Sequence, residues 1–572
     1  MTTARIGNCS GFYGDRLSAM REQLEDSRRD GLGLDYLTGD YLAELTMLIL
    51  GRDQLKDASL GYAKTFVRQA EDCLGLALEQ GVRIVSNAGG LNPAGLAARL
   101  REVTQALGIE ARIAYVEGDR VTVPGALTAN AYLGGFGIAR ALSAGADVVV
   151  TGRVTDASLV VGPAVAHFGW AADDWDRLAG AVVAGHVLEC GTQASGGNFS
   201  GFTRLDTSRP LGFPVAELAA DGSSVITKHT GTGGAVTLDT VTAQLMYEIQ
   251  GVSYLGPDVT TDLTSLTLRQ EGPDRVSITG VRGTPPPPRL KVAVNELGGY
   301  RSSAEFVLTG LDIDEKAAWL RAQVEPGLEG IEHAWSTYRT PEPDSPTEEG
   351  AACLLRLTAW TDTPDPLGKP FTEPLIELAL ASYPGFHVTA PPARPAPYGV
   401  YRAESVDRDA VTHTVVTTWV DGDGARERIA DPPAFAEPEE SVGQRPSPYP
   451  APIDSLTRRL PLGTFVHARS GDKGGDANLG LWVERDVPSD SYDARVTWLT
   501  KLITPRKIRE LVPEAADLEV EVYPLPNLGG VNVLLRGLLG AGVAEGRRFD
   551  PQAKALGEWV RSRAVHIQRD LL

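Results

Sequence analysis

Between residues 82 and 152 the chain repeats one arrangement: a short apolar run that does not alternate with polar residues, a glycine-marked junction, then a longer amphipathic stretch. VRIVSN (82–87) leads into GGLNPAGLAARLREVTQAL, ARIAYVEG (111–118) follows, and ANAYLGGFGIARALSAG runs into ADVVVTG (146–152). A strand that is apolar on both sides must be covered on both faces, whereas an alternating one can leave a face in water. The pattern therefore predicts buried parallel strands with helices on both sides, an α/β fold, from Arg5 to about Tyr254.

At 572 residues the chain is long enough for roughly three to four domain-sized cores. The tetraproline Pro285–Pro288 fits neither a helix nor a central strand and marks a change of unit. Beyond it KVAVNE, AEFVLTG, DEKAAWLRAQV, HAWSTYR, ACLLRLTAW and TEPLIELALASY read as a ββαββα order. The segment from Asp431 to Pro461, with PP, EPEE and PSPYPAP, predicts an extended connector. After it the order returns in TFVHAR, NLGLWVE, LITPRKIRELV, LEVEVYPLP, VNVLLRG and DPQAKALGEWVRSRAV, although no residue-level repeat links the two. The expected division is thus a parallel-sheet α/β domain over 1–284, an α+β unit over 285–430, a linker over 431–461 and a second α+β unit over 462–572.

Charge narrows the partners. A net charge of −20 disfavours nucleic acid, whose phosphates need a basic surface. No uninterrupted apolar run approaches membrane-spanning length, and the start MTTARIGNCSGFYGDR does not read as a signal peptide, so we expect no membrane partner and a cytoplasmic location. Cys9, Cys73, Cys190 and Cys353 are far apart and make no CxxC or Cys/His spacing, which points to no metal and no disulfide framework.

Four glycine-rich junctions carry the candidate chemistry. In TGRVTDAS (151–158), at the end of the apolar run ADVVV, Thr155 or Asp156 is placed to cap the next helix, and Arg153 to meet a carboxylate or phosphate. The same residues also read as a capped helix with a structural ion pair. In GHVLECGTQASGGNFSG, His186 and Glu189 share a helix face at i and i+3, and Cys190 is either a nucleophile at the mouth of a glycine loop or a packing residue. KHTGTGGAVT offers backbone N–H groups at Gly231, Gly233 and Gly234 beside Lys228 and His229, the make-up of an anion-binding turn, though it lacks the ATP P-loop order. A plain chain reversal is the competing reading.

The fourth junction is TFVHARSGDKGGDANLGLW, Thr464 to Trp482. Its glycines permit close ligand approach, Arg469 and Lys473 supply positive charge, Asp472 or Asp476 is a candidate acid/base group, Lys473 with Asp472 would complete a catalytic site, and Ser470 and Asn478 are candidate ligand contacts. We expect this turn to close a site formed by the N-terminal domain or a neighbouring subunit; the alternative is a surface hairpin with self-paired charges.

TGRVTDA, GHVLECG, KHTGTGG and RSGDKG, occurring in this order, resemble the acyclic terpene utilisation (AtuA) family over nearly the whole chain. The resemblance implies a large N-terminal AtuA domain and a smaller C-terminal domain of ferredoxin-like fold. It further implies an enzyme acting on a coenzyme A thioester of a branched or terpenoid acid, by lyase, hydratase or hydrolase chemistry. Coenzyme A would be part of the substrate, with no bound cofactor, and the protein a homo-oligomer. The alternative is a non-catalytic acyl-CoA-binding or scaffold protein; acid/base groups converging in one cleft would favour the enzyme.

Overall fold

The computed structural model describes residues 3–419, 425–438, 457–485 and 489–572. The chain divides into two compact units, one made by Met1–Asn295 with Tyr401–Leu572 and the other by Glu296–Val400.

Among the described residues of the first unit the largest sheet has eleven strands. Its centre is parallel, in the order Thr3–Asn8, Tyr36–Gly39, Arg83–Ser86, Val148–Thr151, Ile113–Glu117. Burial on both faces is visible residue by residue. Ile84, Ile113, Tyr115, Val148 and Val150 join one core with the helices Ala19–Asp30, Lys64–Gln80 and Pro93–Leu107. Val85, Ala114, Val116 and Val149 join the other, with Phe136–Ser143, Ser158–Phe168 and Trp175–Leu188. The unbroken apolar runs are what this two-sided burial requires.

Parallel pairing does not extend to the edges. Pro214–Ala219, Ser224–Lys228, Arg275–Thr279 and Thr267–Gly272 continue one side as antiparallel strands, and Thr414–Thr417 with Ala425–Arg428 continue the other. Short turns explain this: Gly222, at φ 87°, reverses the chain between the first two strands within a few residues, which only an antiparallel partner allows. The sheet is mixed.

The second unit begins later and ends earlier than the residues 285–430 expected from the tetraproline. KVAVNE and AEFVLTG are one continuous strand, Arg289–Thr309, rather than two. Its early residues Val292–Asn295 pair with Thr128–Ala131 in the first unit. Within the second unit Tyr300–Thr309 pairs with Ala352–Thr361, which also pairs with Glu332–Tyr338. Phe306, Leu308, Leu320, Leu355, Leu357 and Phe371 form its core with the helices Ile313–Val324 and Lys369–Glu377.

The C-terminal module, part of the first unit, is a four-stranded antiparallel sheet in the order Val466–Lys473, Asp476–Val483, Gly530–Leu535, Val520–Leu525. Helices Ser489–Leu502, Pro505–Leu511 and Leu556–Ser562 accompany it, a ferredoxin-like arrangement. Most of the expected linker, 439–456, lies outside the described residues. Its end does not behave as a linker: Thr457–Pro461 is a strand paired with Ala564–Gln568, with Pro461 at its last position, where a missing N–H is tolerated.

The module is fixed to the N-terminal part by both apolar and polar contacts. Trp482, Leu525 and Leu528 enter the N-terminal core, and Trp482 Nε1 donates to Asp239 at 3.1 Å. Asn527 donates to the Leu263 carbonyl at 2.9 Å and Asn532 to that of Ile249 at 3.3 Å. No described helix is long and apolar enough to cross a membrane.

Candidate active site

The parallel strands deliver polar groups at their carboxyl ends, where ligands of open α/β sheets bind. Just after Gly39, Asp40 is 4% exposed and accepts from the Leu42 N–H (3.0 Å) and from Asn87 Nδ2 (2.6 Å). Burial, and then the neighbouring Asp156 charge, push its carboxyl well above the usual range. After Thr151 comes Arg153, 3% exposed, donating to the Leu42 carbonyl (3.1 Å), Asp156 (3.0 Å) and the Tyr132 hydroxyl (3.0 Å). Its backbone N–H donates to Asp119, whose buried carboxyl is raised to about 6 by desolvation. Gly152 is obligatory here, since a Cβ would sit 2.5 Å from Asp119 Oδ1.

The capping expectation needs correction. Thr155 Oγ1 bonds Ser158 Oγ and the Asp156 carboxylate pairs with Arg153, while Ala157 occupies the cap position without a side-chain bond. Arg153 is thus in an ion pair, as the structural reading held, and also on a cavity wall with Thr155 and Asp156.

At the end of Trp175–Leu188, His186 Nδ1 meets Glu189 Oε1 at 2.9 Å, the i, i+3 pairing that the spacing predicts. Glu189 and Cys190 line the cavity, whereas His186 is buried against the Tyr254 ring, centroids 5.1 Å apart, and does not. Among the described residues Glu189 Oε2 and His186 Nε2 have no hydrogen-bond partner. Burial and the nearby Glu189, Glu248 and Asp40 charges push the Cys190 thiol well up, which opposes the thiolate that a nucleophile needs. The early GNCSGFYGD loop closes onto this corner. A Cβ on Gly11 would lie 2.6 Å from the Cys190 carbonyl carbon.

The C-terminal hairpin, with its turn at Gly474–Gly475, reaches the same cavity through Asp472 and Lys473. Arg469, Ser470, Asp476 and Asn478 do not line it, and Asp476 is instead paired with Arg536 at 2.8 Å. Arg469 lies 3.9 Å over the Tyr247 ring and donates to Gln193. Ser470 Oγ donates to the Ala553 carbonyl and accepts the Gly557 N–H, inside the module. Asn478 Oδ1 accepts the Glu248 N–H at 2.7 Å and so holds that residue at φ 56°, a conformation side chains rarely adopt. Two of the glycines serve this contact: a Cβ on Gly471 would be 2.3 Å from the Tyr247 ring, and one on Gly480 2.6 Å from Met246 Cβ.

The resulting cavity, about 570 Å³, gathers Asp15, Asp40, Asp156, Glu189, Glu248 and Asp472 with Arg153, Lys291, Lys473 and Lys554, beside Tyr132, Tyr247 and Tyr254. Lys554 Nζ lies 3.5 Å from Asp472 and 3.7 Å from Glu248. Asp40, Tyr132, Tyr247, Glu248, Lys291 and Lys554 escaped the reading of the sequence. Asp40 had a signal, a carboxylate directly after the strand YLTG. Tyr132 stands just before Gly134 and Gly135, whereas Tyr247, Glu248, Lys291 and Lys554 stand in no glycine-rich junction and are assembled by folding alone. Among the described residues no group of three or more His, Cys, Asp or Glu is arranged to hold a metal ion.

KHTGTGG lies elsewhere. Gly231 and His229 border a separate cavity of about 250 Å³ with Arg16 and Arg209, and none of Lys228, His229, Gly231, Gly233 or Gly234 lines the larger one. Its groups are committed internally. Lys228 Nζ donates to the Thr232 carbonyl (3.0 Å) and pairs with Asp274 (3.2 Å), and His229 sits between Asp30 and Gln23. The Gly233 and Gly234 N–H groups donate to the Pro210 and Asp206 carbonyls. The expected anion-binding turn therefore does not contribute to the larger cavity, and its Gly233 and Gly234 amides are spent closing a loop.

Two family models match the chain. The one described as acyclic terpene utilisation family protein AtuA covers residues 4–417, and the AtuA ferredoxin-like domain covers 460–566. No curated protein and no solved structure matched.

Proposed function

The chain belongs to the acyclic terpene utilisation AtuA family, and from that premise we propose that it is an enzyme performing acid/base chemistry on the coenzyme A thioester of a branched or terpenoid acid. The observation that carries the reading is the convergence of six carboxyl groups and four cationic side chains in one cavity built by both parts of the first unit. A site that only held a ligand would not need carboxyl groups in opposed environments. Asp40 is buried and biased towards its neutral, proton-carrying form, while Asp156 is held against Arg153. About 570 Å³ suits an acyl chain and its thioester, within the usual range of ligand sites. Phe12, Leu42, Leu45, Ile249 and Leu255 give the wall apolar patches for the chain, and Lys291 and Lys473 can meet anionic groups of the carrier.

Within the three chemistries, hydratase or lyase action is favoured over hydrolysis through a thiol ester, because the surroundings of Cys190 keep the thiol protonated. The test is mass spectrometry of the purified protein after incubation with a panel of branched and terpenoid acyl-CoA thioesters. We expect turnover with a mass change of water addition, water loss or chain cleavage, and no adduct on Cys190. A covalent acyl adduct on Cys190 would overturn the acid/base reading. Tight binding without turnover would support the acyl-CoA-binding alternative, and neither binding nor turnover would remove the thioester substrate altogether. A cytoplasmic location and assembly from identical chains belong to the same proposal; light scattering of the purified protein tests the second.

A further inference from the structure

Tyr247 is 2% exposed on the cavity side of the first unit, and its surroundings are unusual for a phenol. The Arg469 guanidinium lies 3.9 Å over its ring centroid and Lys554 Nζ lies 4.7 Å from it. Lys554 Nζ also bonds the phenol oxygen. Both cations come from the C-terminal module, and Gly471 has no side chain because the Tyr247 ring fills that space. An ammonium group can only donate, so the phenol oxygen is the acceptor in this bond and the single phenolic proton must point elsewhere. The Glu248 carboxylate, which lines the cavity beside Tyr247, is its side-chain hydrogen-bond partner. Glu248 is held in a left-handed conformation by the amide oxygen of Asn478, which fixes where this corner of the wall stands.

We propose that Tyr247 is a catalytic residue that delivers its phenolic proton to the acyl oxygen of the thioester, with Lys554 as the positioning residue that holds the phenol and receives its charge. When a base removes an acyl proton or water adds, an oxyanion develops at the thioester oxygen. The Tyr247 O–H bond breaks and a new O–H bond forms at that oxygen. The phenolate left behind faces the Lys554 ammonium and the Arg469 guanidinium. When the thioester carbonyl re-forms, that O–H bond breaks and its proton returns to the phenolate, which restores the phenol while Lys554 keeps its charge, so no other reactant is needed. Burial pushes the Tyr247 phenol well above its ordinary range, which keeps it protonated until an oxyanion needs it.

The inference rests on the acyl thioester reading, and its test separates the two. Wild-type protein, Tyr247→Phe, Lys554→Met and Lys554→Arg are compared on whichever thioester of the panel the wild type turns over, with thermal unfolding as the folding control. Tyr247→Phe keeps the ring under Arg469, so we expect it to fold and to lose about a hundredfold or more in kcat with KM changed only a few-fold. Lys554→Met should lose kcat in the same direction, and Lys554→Arg, which keeps a cationic donor, should recover much of it. Should Tyr247→Phe fail to fold, the two lysine variants decide. Wild-type kcat in Tyr247→Phe, a loss confined to KM, or a Lys554→Arg protein no better than Lys554→Met would overturn the inference alone. Absence of binding and turnover by the wild type would overturn the thioester reading and this inference with it.

Discussion

Two turns of this chain look alike on paper: KHTGTGG at 228–234 and SGDKGG at 470–475 each combine a lysine with three glycines in a few residues. In the fold they do opposite things. The first closes on itself, with its amides and side chains bonded to neighbouring carbonyls, Asp30, Gln23 and Asp274. The second turns outward from its own module: Gly471 clears room for Tyr247, Gly474 and Gly475 make the hairpin tip, and Asp472 and Lys473 enter the cavity. Glycine and lysine composition says that a backbone must be unusual, but only the destination of the N–H groups says whether anything is left for a ligand.

The largest effect that this contrast predicts is for Gly471→Ala. The added Cβ meets a ring that Arg469 and Lys554 already pin, so the wall must move. Denaturant unfolding should show a loss of about 1–3 kcal/mol, the usual range for overpacking, together with a loss of turnover. Normal stability and turnover would mean that the module does not sit on Tyr247. Next comes Lys473→Ala, in which function and stability should part. Stability should stay within about half a kcal/mol, as for most partly exposed loop side chains, while kcat/KM falls roughly tenfold or more, the size of one lost charge-assisted contact. A variant as active as the wild type would make the hairpin charge ornamental.

The same contrast explains what could be read in advance. Two-sided burial made the central strands legible, because VRIVSN and ADVVVTG have no polar face to offer water. The antiparallel edges were not legible, since whether a strand is continued by a helix or a hairpin is decided by short turns such as that at Gly222. In the site, Arg153, Asp156, Glu189, Cys190, Asp472 and Lys473 stood in glycine junctions and were found there. Tyr247, Glu248 and Lys554 come together only through pairing of segments some three hundred residues apart, which no local pattern carries.

For the inward turn the expected effects are on stability alone. Burial works against the charge on Asp30, but N–H donation from Leu32, the His229 imidazole and the Thr230 N–H overcome it and hold its carboxyl below the usual range. A depressed carboxyl contributes stability that is present above its unfolded value, ordinarily about 3.9, and is lost as pH falls through the lower, folded value. Asp30→Asn should therefore cost on the order of 1 kcal/mol near neutral pH, within the range for a buried charged hydrogen bond. The gap to the wild type should narrow in acid, and turnover should not change. A gap that widens in acid would show that the bond to His229 is not what holds the turn.

The smallest effect, and the sharpest test of the comparison, is expected for Gly231→Ala. Gly231 has φ 81°, and a Cβ there would meet nothing within 4 Å, so the variant changes backbone preference without touching a neighbour. That should cost about 1 kcal/mol, the usual penalty for a side chain in the left-handed region, read as a small drop in unfolding midpoint. Because Gly231 borders the smaller cavity and not the larger, kcat and KM for the thioester should match the wild type. Gly471→Ala and Gly231→Ala are then the same chemical change in two look-alike turns, one reaching the site and one not. If Gly231→Ala lost turnover on the scale of Lys473→Ala while remaining folded, the KHTGTGG turn would have to contact the ligand, and the division between an inward and an outward turn would fall.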